Sequence, residues 1–227
     1  MTAPQGPLAG KRFVVSAGPT YEDIDPVRFL GNRSSGRMGF AVAAAAASRG
    51  AAVVLVAGPV GLPTPPGVAR VDVRSAREMH RAVLEALPAD AYVGAAAVAD
   101  WTPVAPAAAK LKKRPGETRL VLEFERTPDI LAAVARHPAR PRLVVGFAAE
   151  TTGELAGHAR AKLRDKGADA IAANRVGVAG SGFESDDNAL EVWWHGGSQA
   201  LGPASKTVLA GQLLDLLATI DASRNPA

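Results

Sequence analysis

Residues 12–16 read RFVVS, residues 25–40 read DPVRFLGNRSSGRMGF, and residues 41–49 read AVAAAAASR. A short apolar run, a long polar stretch and an alanine-rich run predict, in this order, a β-strand, a loop and an α-helix. Gly36 and Gly39 would let the backbone approach an anion closely, and the free N–H groups at the start of the helix would face that anion. The stretch therefore predicts an α/β unit that binds a phosphate or a carboxylate.

The loop also carries donors that suit phosphate and carboxylate oxygens, namely Arg28, Asn32, Arg33 and Arg37. A second interpretation needs no ligand: Ser34 or Ser35 caps the helix and the glycines serve packing. A motif this short is a hypothesis, so both interpretations stay open on this stretch alone.

Composition bounds the class of protein. The 227 residues fit one domain, expected at residues 11–221 between flexible segments at 1–10 and 222–227. The chain has no cysteine, which excludes thiolate metal sites and a cysteine nucleophile. A net charge of +4 suits small anionic partners. We expect no nucleic acid, since no basic strand is interleaved with aromatic residues, and no membrane span or secretion signal. We therefore expect a cytoplasmic protein.

Short apolar runs alternate with amphipathic ones along the rest of the chain. Buried strands are predicted at 12–16, 52–56, 69–73, 91–97, 142–147 and 168–173, helices at 75–87, 128–135, 154–166 and 206–220, an extended segment at 120–124, and a late edge strand at 189–194. Ser75 and Glu78 form a predicted capping box. The pattern predicts a three-layer, Rossmann-like α/β fold, with a mostly parallel sheet, helices on both faces and a lysine-rich flap loop.

Polar residues follow several of the predicted strands, at Asn32, Asp100, 147–150 and Asn174. In open parallel sheets ligands bind beyond the carboxyl ends of the strands, so a single crevice is expected to collect these residues. Considered alone, Asp100 fits a helix N-cap as well as it fits a ligand contact. Asn174 likewise fits a residue that only satisfies a turn.

Basic residues and histidines are ambiguous on their own. The cluster at 110–114 is either a solvated face or a flap over a polyanion. Lys162 and Lys166 share one helix face but, considered alone, are expected to face solvent. The histidines lack metal-ligand spacing.

Taken together, these segments resemble bacterial phosphopantothenoylcysteine synthetase, usually the C-terminal half of the bifunctional phosphopantothenoylcysteine decarboxylase/synthetase of coenzyme A biosynthesis. The resemblance covers nearly the whole chain. The matching segments are SAGPT at 16–20, residues 25–40, GPV at 58–60, LPTPP at 62–66, AAAVAD at 95–100, the cluster at 110–113, PDI at 128–130, GFAAET at 146–151, AN at 173–174 and FESDDNAL at 183–190.

The resemblance implies a ligase that uses CTP. Phosphopantothenate would be activated to an acyl-cytidylate with release of pyrophosphate, and the amine of L-cysteine would then displace CMP. Such a mechanism depends on positioning and charge stabilisation rather than on a protein nucleophile. A divalent cation, expected to be Mg²⁺, is implied by the triphosphate, with its protein ligands unassigned. The family is dimeric, so a homodimer is expected.

The resemblance also assigns residues. Asn32 would hold the acyl-cytidylate and assist the cysteine step, Arg28 would position the phosphopantothenoyl portion, and Lys110, on its flap, would stabilise the activation step. Nucleotide contacts would come from the helix-start loop and from several strand ends: Ser34, Ser35, Gly36, Met38, Gly39, Ala95, Ala96, Ala97, Asp100, Lys110, Pro128, Asp129, Ile130, Leu131, Phe147, Lys162 and Lys166.

Two departures from the family pattern are present. Arg175 follows Asn174 where the family often has aspartate, and no decarboxylase half precedes Met1, so we expect either a stand-alone synthetase or one half of a bifunctional enzyme.

The runner-up function is a nicotinamide-dependent oxidoreductase, which the sequence disfavours because no G-x-G-x-x-G follows the first strand and no acidic residue ends the second. A non-catalytic nucleotide-binding module would keep the Ser-Ser-Gly loop but would not need Asn32 and Lys110 together.

Overall fold

The computed structural model describes residues 5–113, 115–150, 155–175 and 187–224. Thr151, Glu154, Arg114 and residues 183–186, which belong to segments predicted above, lie outside this part of the chain. Its elements, in chain order, are β1 (Arg12–Ala17), β2 (Tyr21–Asp23), β3 (Phe29–Gly31), α1 (Arg37–Ser48), β4 (Ala52–Ala57), β5 (Val68–Asp72), α2 (Ala76–Glu85), β6 (Ala91–Gly94), β7 (Trp101–Pro103), β8 (Phe124–Arg126), α3 (Ile130–Ala135), β9 (Leu143–Glu150), α4 (Leu155–Lys166), β10 (Ala170–Arg175), β11 (Asp187–Trp194), β12 (Gly197–Ser205) and α5 (Lys206–Arg224).

Eight strands form the central sheet in the order β12-β11-β10-β9-β6-β1-β4-β5. The six strands from β10 to β5 run parallel, and β11 and β12 add an antiparallel hairpin at one edge. The chain winds outward from β1 to β4 and β5, and then returns to the other side of β1 with β6. The fold therefore has its topological switch point between β1 and β6, where open α/β sheets bind their ligands.

Helices cover both faces of the sheet, which confirms the predicted three-layer architecture. One core packs α1 and α5 against the face that carries Val15, Leu55 and Val145. The other packs α2, α3 and α4 against the face that carries Val14 and Val144. Alternate residues of β1 and β9 thus enter opposite cores, because successive side chains of a strand point to opposite faces. Near-continuous apolar strands are what a sheet covered on both faces requires.

Local chemistry explains where α2 begins. The Ser75 side chain accepts from the backbone N–H of Glu78, and Glu78 accepts from the backbone N–H of Ser75, which completes the predicted capping box. The N–H of Arg74 also donates to Glu78, at 2.7 Å. These backbone N–H groups lower the pKa of the Glu78 carboxyl.

Several predicted boundaries were wrong. The late strand is not the edge: β12 lies outside β11 and forms the edge. Helix α1 begins at Arg37, within the predicted Ser-Ser-Gly-x-Met-Gly opening and before the alanine-rich run at 41–49. Strand β6 ends at Gly94, so the expected residues 95–97 are loop, and the extended segment expected at 120–124 becomes a short strand at Phe124–Arg126. The short hairpins β2–β3 and β7–β8 were not predicted.

Residues near both ends of the chain contact the rest of the domain. The N–H of Leu8 donates to the carbonyl of Arg49 at 2.9 Å, and the Leu8 side chain packs against the core. Helix α5 continues to Arg224, whose guanidinium lies 2.5 Å from Asp169. The flexibility expected of residues 1–10 and 222–227 stays a prediction.

Candidate functional site

A cleft of about 810 Å³ opens at the switch point of the sheet. Its walls are the loop before α1, the loop after β6, the start of α3, the end of β9 and one face of α4. It brings together every residue that the sequence assigned to the site except Arg28 and Lys110: Asn32, Ser34, Ser35, Gly36, Met38, Gly39, Ala95, Ala96, Ala97, Asp100, Pro128, Asp129, Ile130, Leu131, Phe147, Lys162 and Lys166. One crevice therefore collects the strand-end residues, as the topology required.

The start of α1 forms one wall. Gly36 is its N-cap, in a left-handed conformation with φ of 75°, and no side chain caps the helix. The alternative interpretation, in which Ser34 or Ser35 caps α1, is therefore wrong: the Ser34 hydroxyl instead accepts from the N–H of Gly36 at 3.3 Å. The start of α1 lines the cleft, and the positive end of the helix dipole there favours an anion.

Gly39 has a packing role. A Cβ at Gly39 would lie 2.5 Å from the Cβ of Ala17 and 3.3 Å from the Cβ of Ala95. Only a residue without a side chain allows α1 to pack this closely against β1 and the loop after β6. The close approach expected at Gly39 is therefore between helix and sheet, and it sets the position of the helix N-terminus at the cleft.

Asn32 ties two walls of the cleft together. Its Nδ2 amide donates to the carbonyls of Ala97 and Val98, at 3.0 and 3.2 Å. The donor that was expected to contact substrate is thus used by backbone, and Oδ1 is the group of Asn32 that the described residues leave available.

The loop after β6 is braced by the segment after β1. The N–H of Ala97 donates to the carbonyl of Gly18 at 2.9 Å, and the N–H of Ala99 donates to the Thr20 hydroxyl at 2.9 Å. On the other side the Thr127 hydroxyl donates to the carbonyl of Ala99 at 2.6 Å. These hydrogen bonds from both sides fix the backbone at 95–99 along the wall of the cleft.

Two lysines from α4 enter the cleft instead of facing solvent. Lys162 Nζ donates to the carbonyl of Phe147 at 2.8 Å. Lys166 forms an ion pair with Asp129, which also caps α3 by accepting from the N–H of Ala132 at 3.0 Å. Burial opposes ionisation of Asp129, but Lys166 and the Ala132 N–H outweigh it and lower the pKa of this carboxyl. Considered alone the two lysines suggested a solvent-facing surface, but α4 turns this face toward the strand ends, as the resemblance implied.

The floor of the cleft carries a hydroxyl pair that the sequence did not reveal. Ser16 Oγ and the Tyr92 hydroxyl lie 2.9 Å apart, both deeply buried, and both residues line the cleft. Burial raises the pKa of Tyr92 to about 12, so its hydroxyl stays protonated. An isolated tyrosine in an apolar strand gives no sequence signal of such a contact.

Further polar residues, also missed as site residues, line the far end of the cleft. Asn174, Asn188 and Lys206 are each more than nine-tenths buried. They come together because β10 ends, β11 begins and α5 begins at the same edge of the sheet. Asn174 was noted as a strand-end residue. Lys206 had no signal, because a lysine at the first residue of an amphipathic helix is usually exposed to solvent.

Arg28 and Lys110 lie outside the cleft lining. Arg28 forms an ion pair with the buried Asp25, with Nε and Nη2 at 3.0 and 2.5 Å from Oδ2. Lys110 is exposed on the loop between β7 and β8. That hairpin leaves the cleft at Trp101 and returns to it at Arg126, so the loop with Lys110 projects from the cleft edge.

Metal-binding residues are sparse in the described part of the chain, where no three His, Asp or Glu side chains cluster in a way that could hold an ion. The carboxylates that line the cleft are Asp100, which is exposed, and Asp129, which is paired with Lys166. This donor set suits Mg²⁺ held mainly by phosphate oxygens, since Mg²⁺ commonly takes only one or two protein carboxylates.

The sequence of the chain is similar to those of known proteins. Residues 8–220 match the model of the DNA/pantothenate metabolism flavoprotein C-terminal domain family. The coenzyme A biosynthesis bifunctional protein CoaBC of Vibrio cholerae is 48% identical over 211 residues, 92% of this chain and 53% of that protein. The CoaBC proteins of Escherichia coli K12 and Mycobacterium tuberculosis are 46% and 47% identical, over 93% of this chain. The chain thus spans about half the length of these relatives.

Solved structures of two similar proteins resemble the structure of this chain. A crystal structure of the C-terminal domain of coenzyme A biosynthesis bifunctional protein CoaBC has a TM-score of 0.78 and 36% identity, over 96% of this chain and 98% of that one. A DNA/pantothenate metabolism flavoprotein from Streptococcus pneumoniae has a TM-score of 0.78 at 23% identity, over 92% of this chain and 99% of that one, and supports the fold alone.

Among the described residues no helix has both the length and the apolar character needed to cross a membrane.

Proposed function

The chain belongs to the DNA/pantothenate metabolism flavoprotein C-terminal domain family, and we propose that it is the phosphopantothenate–cysteine ligase of coenzyme A biosynthesis. In this proposal CTP activates the carboxylate of 4′-phosphopantothenate, and the amine of L-cysteine then forms the amide. The observation that carries the proposal is the single cleft in which the residues matched to the synthetase meet. The oxidoreductase alternative is not favoured, because the similar proteins are coenzyme A biosynthesis proteins.

Nucleotide binding follows from the walls of the cleft. The N-terminus of α1 would hold phosphate oxygens through backbone N–H groups of its first turn. Lys162 and Lys166 add positive charge on the opposite side. The backbone at 95–97 and 128–131 offers the directional donors and acceptors that a cytosine edge needs, and such a site rejects a base with mismatched groups strongly.

The activation step is an attack of the substrate carboxylate on the α-phosphorus of CTP, which forms the acyl-cytidylate and releases pyrophosphate. Negative charge increases on the transferring phosphoryl group and on the leaving pyrophosphate. Lys110, on the loop at the cleft edge, is proposed to approach this charge and stabilise it. The other cationic groups of the cleft hold the triphosphate in line.

In the second step the cysteine amine attacks the activated carbonyl and CMP leaves. Asn32 is proposed to orient this step. Its Nδ2 is anchored on Ala97 and Val98, so its Oδ1 is fixed in direction. A fixed carbonyl oxygen is suited to accept from the attacking amine and to position its lone pair. Arg28 is proposed to contact the phosphopantothenoyl portion from outside the cleft lining.

Mg²⁺ is proposed as a partner of the triphosphate. It would be held by phosphate oxygens together with the exposed Asp100, and would neutralise phosphate charge when bound. Asp129 is not proposed as a Mg²⁺ ligand, because it forms an ion pair with Lys166.

Partner proteins are proposed on two grounds. The relatives are bifunctional proteins of about twice this length, so a decarboxylase domain or partner is expected to supply the rest of the activity. Large apolar side chains are exposed on β3, β7 and the loop after β7, and exposed apolar surface of this kind marks interaction sites. They are Phe29, Leu30, Trp101, Val104, Leu120 and Val121. We propose that this surface joins two copies in a homodimer. A cytoplasmic location stays a prediction.

Thermal unfolding with different nucleotides tests the assignment. A ligand that binds only the folded state raises the unfolding temperature by mass action, and 100 times its Kd adds about 2.7 kcal/mol. We expect CTP with Mg²⁺ to stabilise the protein more than ATP, while NAD has no effect. Stabilisation by NAD alone would support the oxidoreductase, and stabilisation by none of the three would contradict the proposal.

A further inference from the structure

The turn at residues 24–28 holds the lysine-bearing loop by its backbone. Asp25 Oδ2 accepts from the N–H of Leu111 at 3.1 Å, and Arg28 Nη2 donates to the carbonyl of the same residue at 3.0 Å. Both polar groups of the Leu111 residue are therefore bound by the Asp25–Arg28 pair. A third bond, from the N–H of Ala107 to the carbonyl of Ile24 at 2.9 Å, fixes the loop a few residues earlier.

The two carboxylate oxygens of Asp25 accept hydrogen bonds from different groups. Oδ1 accepts from the N–H groups of Val27 and Arg28, both at 2.9 Å, and so shapes its own turn. Oδ2 accepts from the Arg28 guanidinium and from Leu111. Asp25 is 2% exposed, and its hydrogen bond with Arg28 holds the pKa of this carboxyl far below its usual range. Its charge is thus permanent at neutral pH.

Leu111 directly follows Lys110, the side chain proposed to stabilise activation. A residue whose next peptide is fixed on both sides can sample few backbone directions, whereas an exposed lysine on a free loop samples many. We infer that Asp25, with Arg28, is a positioning residue for the activation step. The pair holds the backbone of Leu111 by two hydrogen bonds, called the grip below, and thereby directs Lys110 toward the reacting phosphate. This inference rests on the proposed ligase function.

Neither Asp25 nor Leu111 lines the cleft, so the Asp25–Arg28 ion pair does not itself contact a nucleotide bound there. Nucleotide affinity should therefore be independent of the grip, while the rate of activation depends on it. Misplacement of a catalytic group by about 1 Å can cost on the order of 100-fold in rate.

The test is Asp25→Asn, which preserves an acceptor at Oδ1 for the turn but presents an NH₂ donor to Leu111 and Arg28. Single-turnover release of pyrophosphate is measured at saturating CTP and phosphopantothenate, and the Kd for CTP is measured separately. We expect release to slow by roughly 10- to 100-fold with the Kd for CTP unchanged. Asp23→Asn is the matched control, because Asp23 lies in the same hairpin but pairs with Arg74; its release rate should stay normal.

A double-mutant cycle separates positioning from general structural damage. If Asp25 acts through Lys110, then Asp25→Asn in a Lys110→Gln background causes little further slowing. An equal fold-loss in both backgrounds, or a normal rate for Asp25→Asn alone, overturns the inference. A wild-type protein that releases no pyrophosphate from CTP instead overturns the proposed function itself.

Hydrogen exchange of the wild-type protein provides a reading that holds even if the variant does not fold. The Leu111 amide is expected to exchange at least tenfold more slowly than the amides of Lys112 and Lys113, whose N–H groups have no backbone acceptor among the described residues. Exchange of Leu111 at the rate of these neighbours would show that no grip exists and would overturn the inference.

Discussion

Replacing Gly39 by alanine tests how the helix N-terminus is set against the sheet. The new Cβ would lie 2.5 Å from the Ala17 Cβ, whereas carbon atoms pack best at about 3.5–4.0 Å. The start of α1 must therefore move by about 1 Å. Overpacking of this kind costs about 1–3 kcal/mol, and the helix preference of alanine over glycine recovers about 0.5–1 kcal/mol.

A net loss of roughly 1–2 kcal/mol of unfolding free energy is thus expected for Gly39→Ala. Gly157 offers a matched control. It is the third residue of α4 as Gly39 is the third of α1, it is exposed, and a Cβ there meets nothing within 4 Å. Gly157→Ala should therefore gain about 0.5–1 kcal/mol.

Thermal and guanidinium unfolding of the two variants measures the contrast. A gap of about 2 kcal/mol corresponds to roughly 4–8 °C in Tm for a domain of this size. Gly39→Ala should also weaken CTP binding, because the N–H groups of α1 shift at the cleft, and Gly157→Ala should not. Equal stabilisation by both substitutions would refute the packing argument for Gly39.

Three further predictions follow from the site and its surroundings. Lys110→Gln should raise the barrier to pyrophosphate release by about 2–4 kcal/mol, measured by quenched flow, while Lys113→Gln in the same loop stays near normal; a normal rate for Lys110→Gln would remove its role. Asn32→Asp cannot donate to the carbonyls of Ala97 and Val98 and places a charge beside phosphate, so the cysteine step should fail and the acyl-cytidylate accumulate in rapid-quench samples; a folded, CTP-binding variant without build-up would contradict this. Because the pKa of Glu78 is lowered in the folded state, its contribution to stability is present above its unfolded pKa and is lost as the pH falls below it; unfolding free energies measured between about pH 6 and pH 3 should decline less for Glu78→Gln than for wild type, and an identical decline would count against it.

Sequence reasoning predicted the sheet and its helices because buried parallel strands and amphipathic helices leave periodic signals. It missed β12, whose residues GSQALGPAS lack alternation and contain Gly202 and Pro203, both unusual in strands. It also missed β2, β3, β7 and β8, since strands of three residues give no period to detect.

The site was predicted where a residue's place in the chain determines its place in space, at strand ends and at a helix start. Contacts that depend on tertiary packing were not predictable. The grip of Asp25 on Leu111 joins residues 86 positions apart, and the Ser16–Tyr92 pair joins two strands. The function of Gly39 depends on Ala17 lying across from it, which no local pattern encodes.

Mass spectrometry of the reaction products tests the proposed two-step, CTP-dependent ligase. The protein is incubated with CTP, Mg²⁺ and 4′-phosphopantothenate, with and without L-cysteine. We predict pyrophosphate and an acyl-cytidylate without cysteine, and CMP with phosphopantothenoylcysteine only when cysteine is added. Equal turnover with ATP would contradict the CTP assignment, and absence of the amide product with every nucleotide would contradict the ligase.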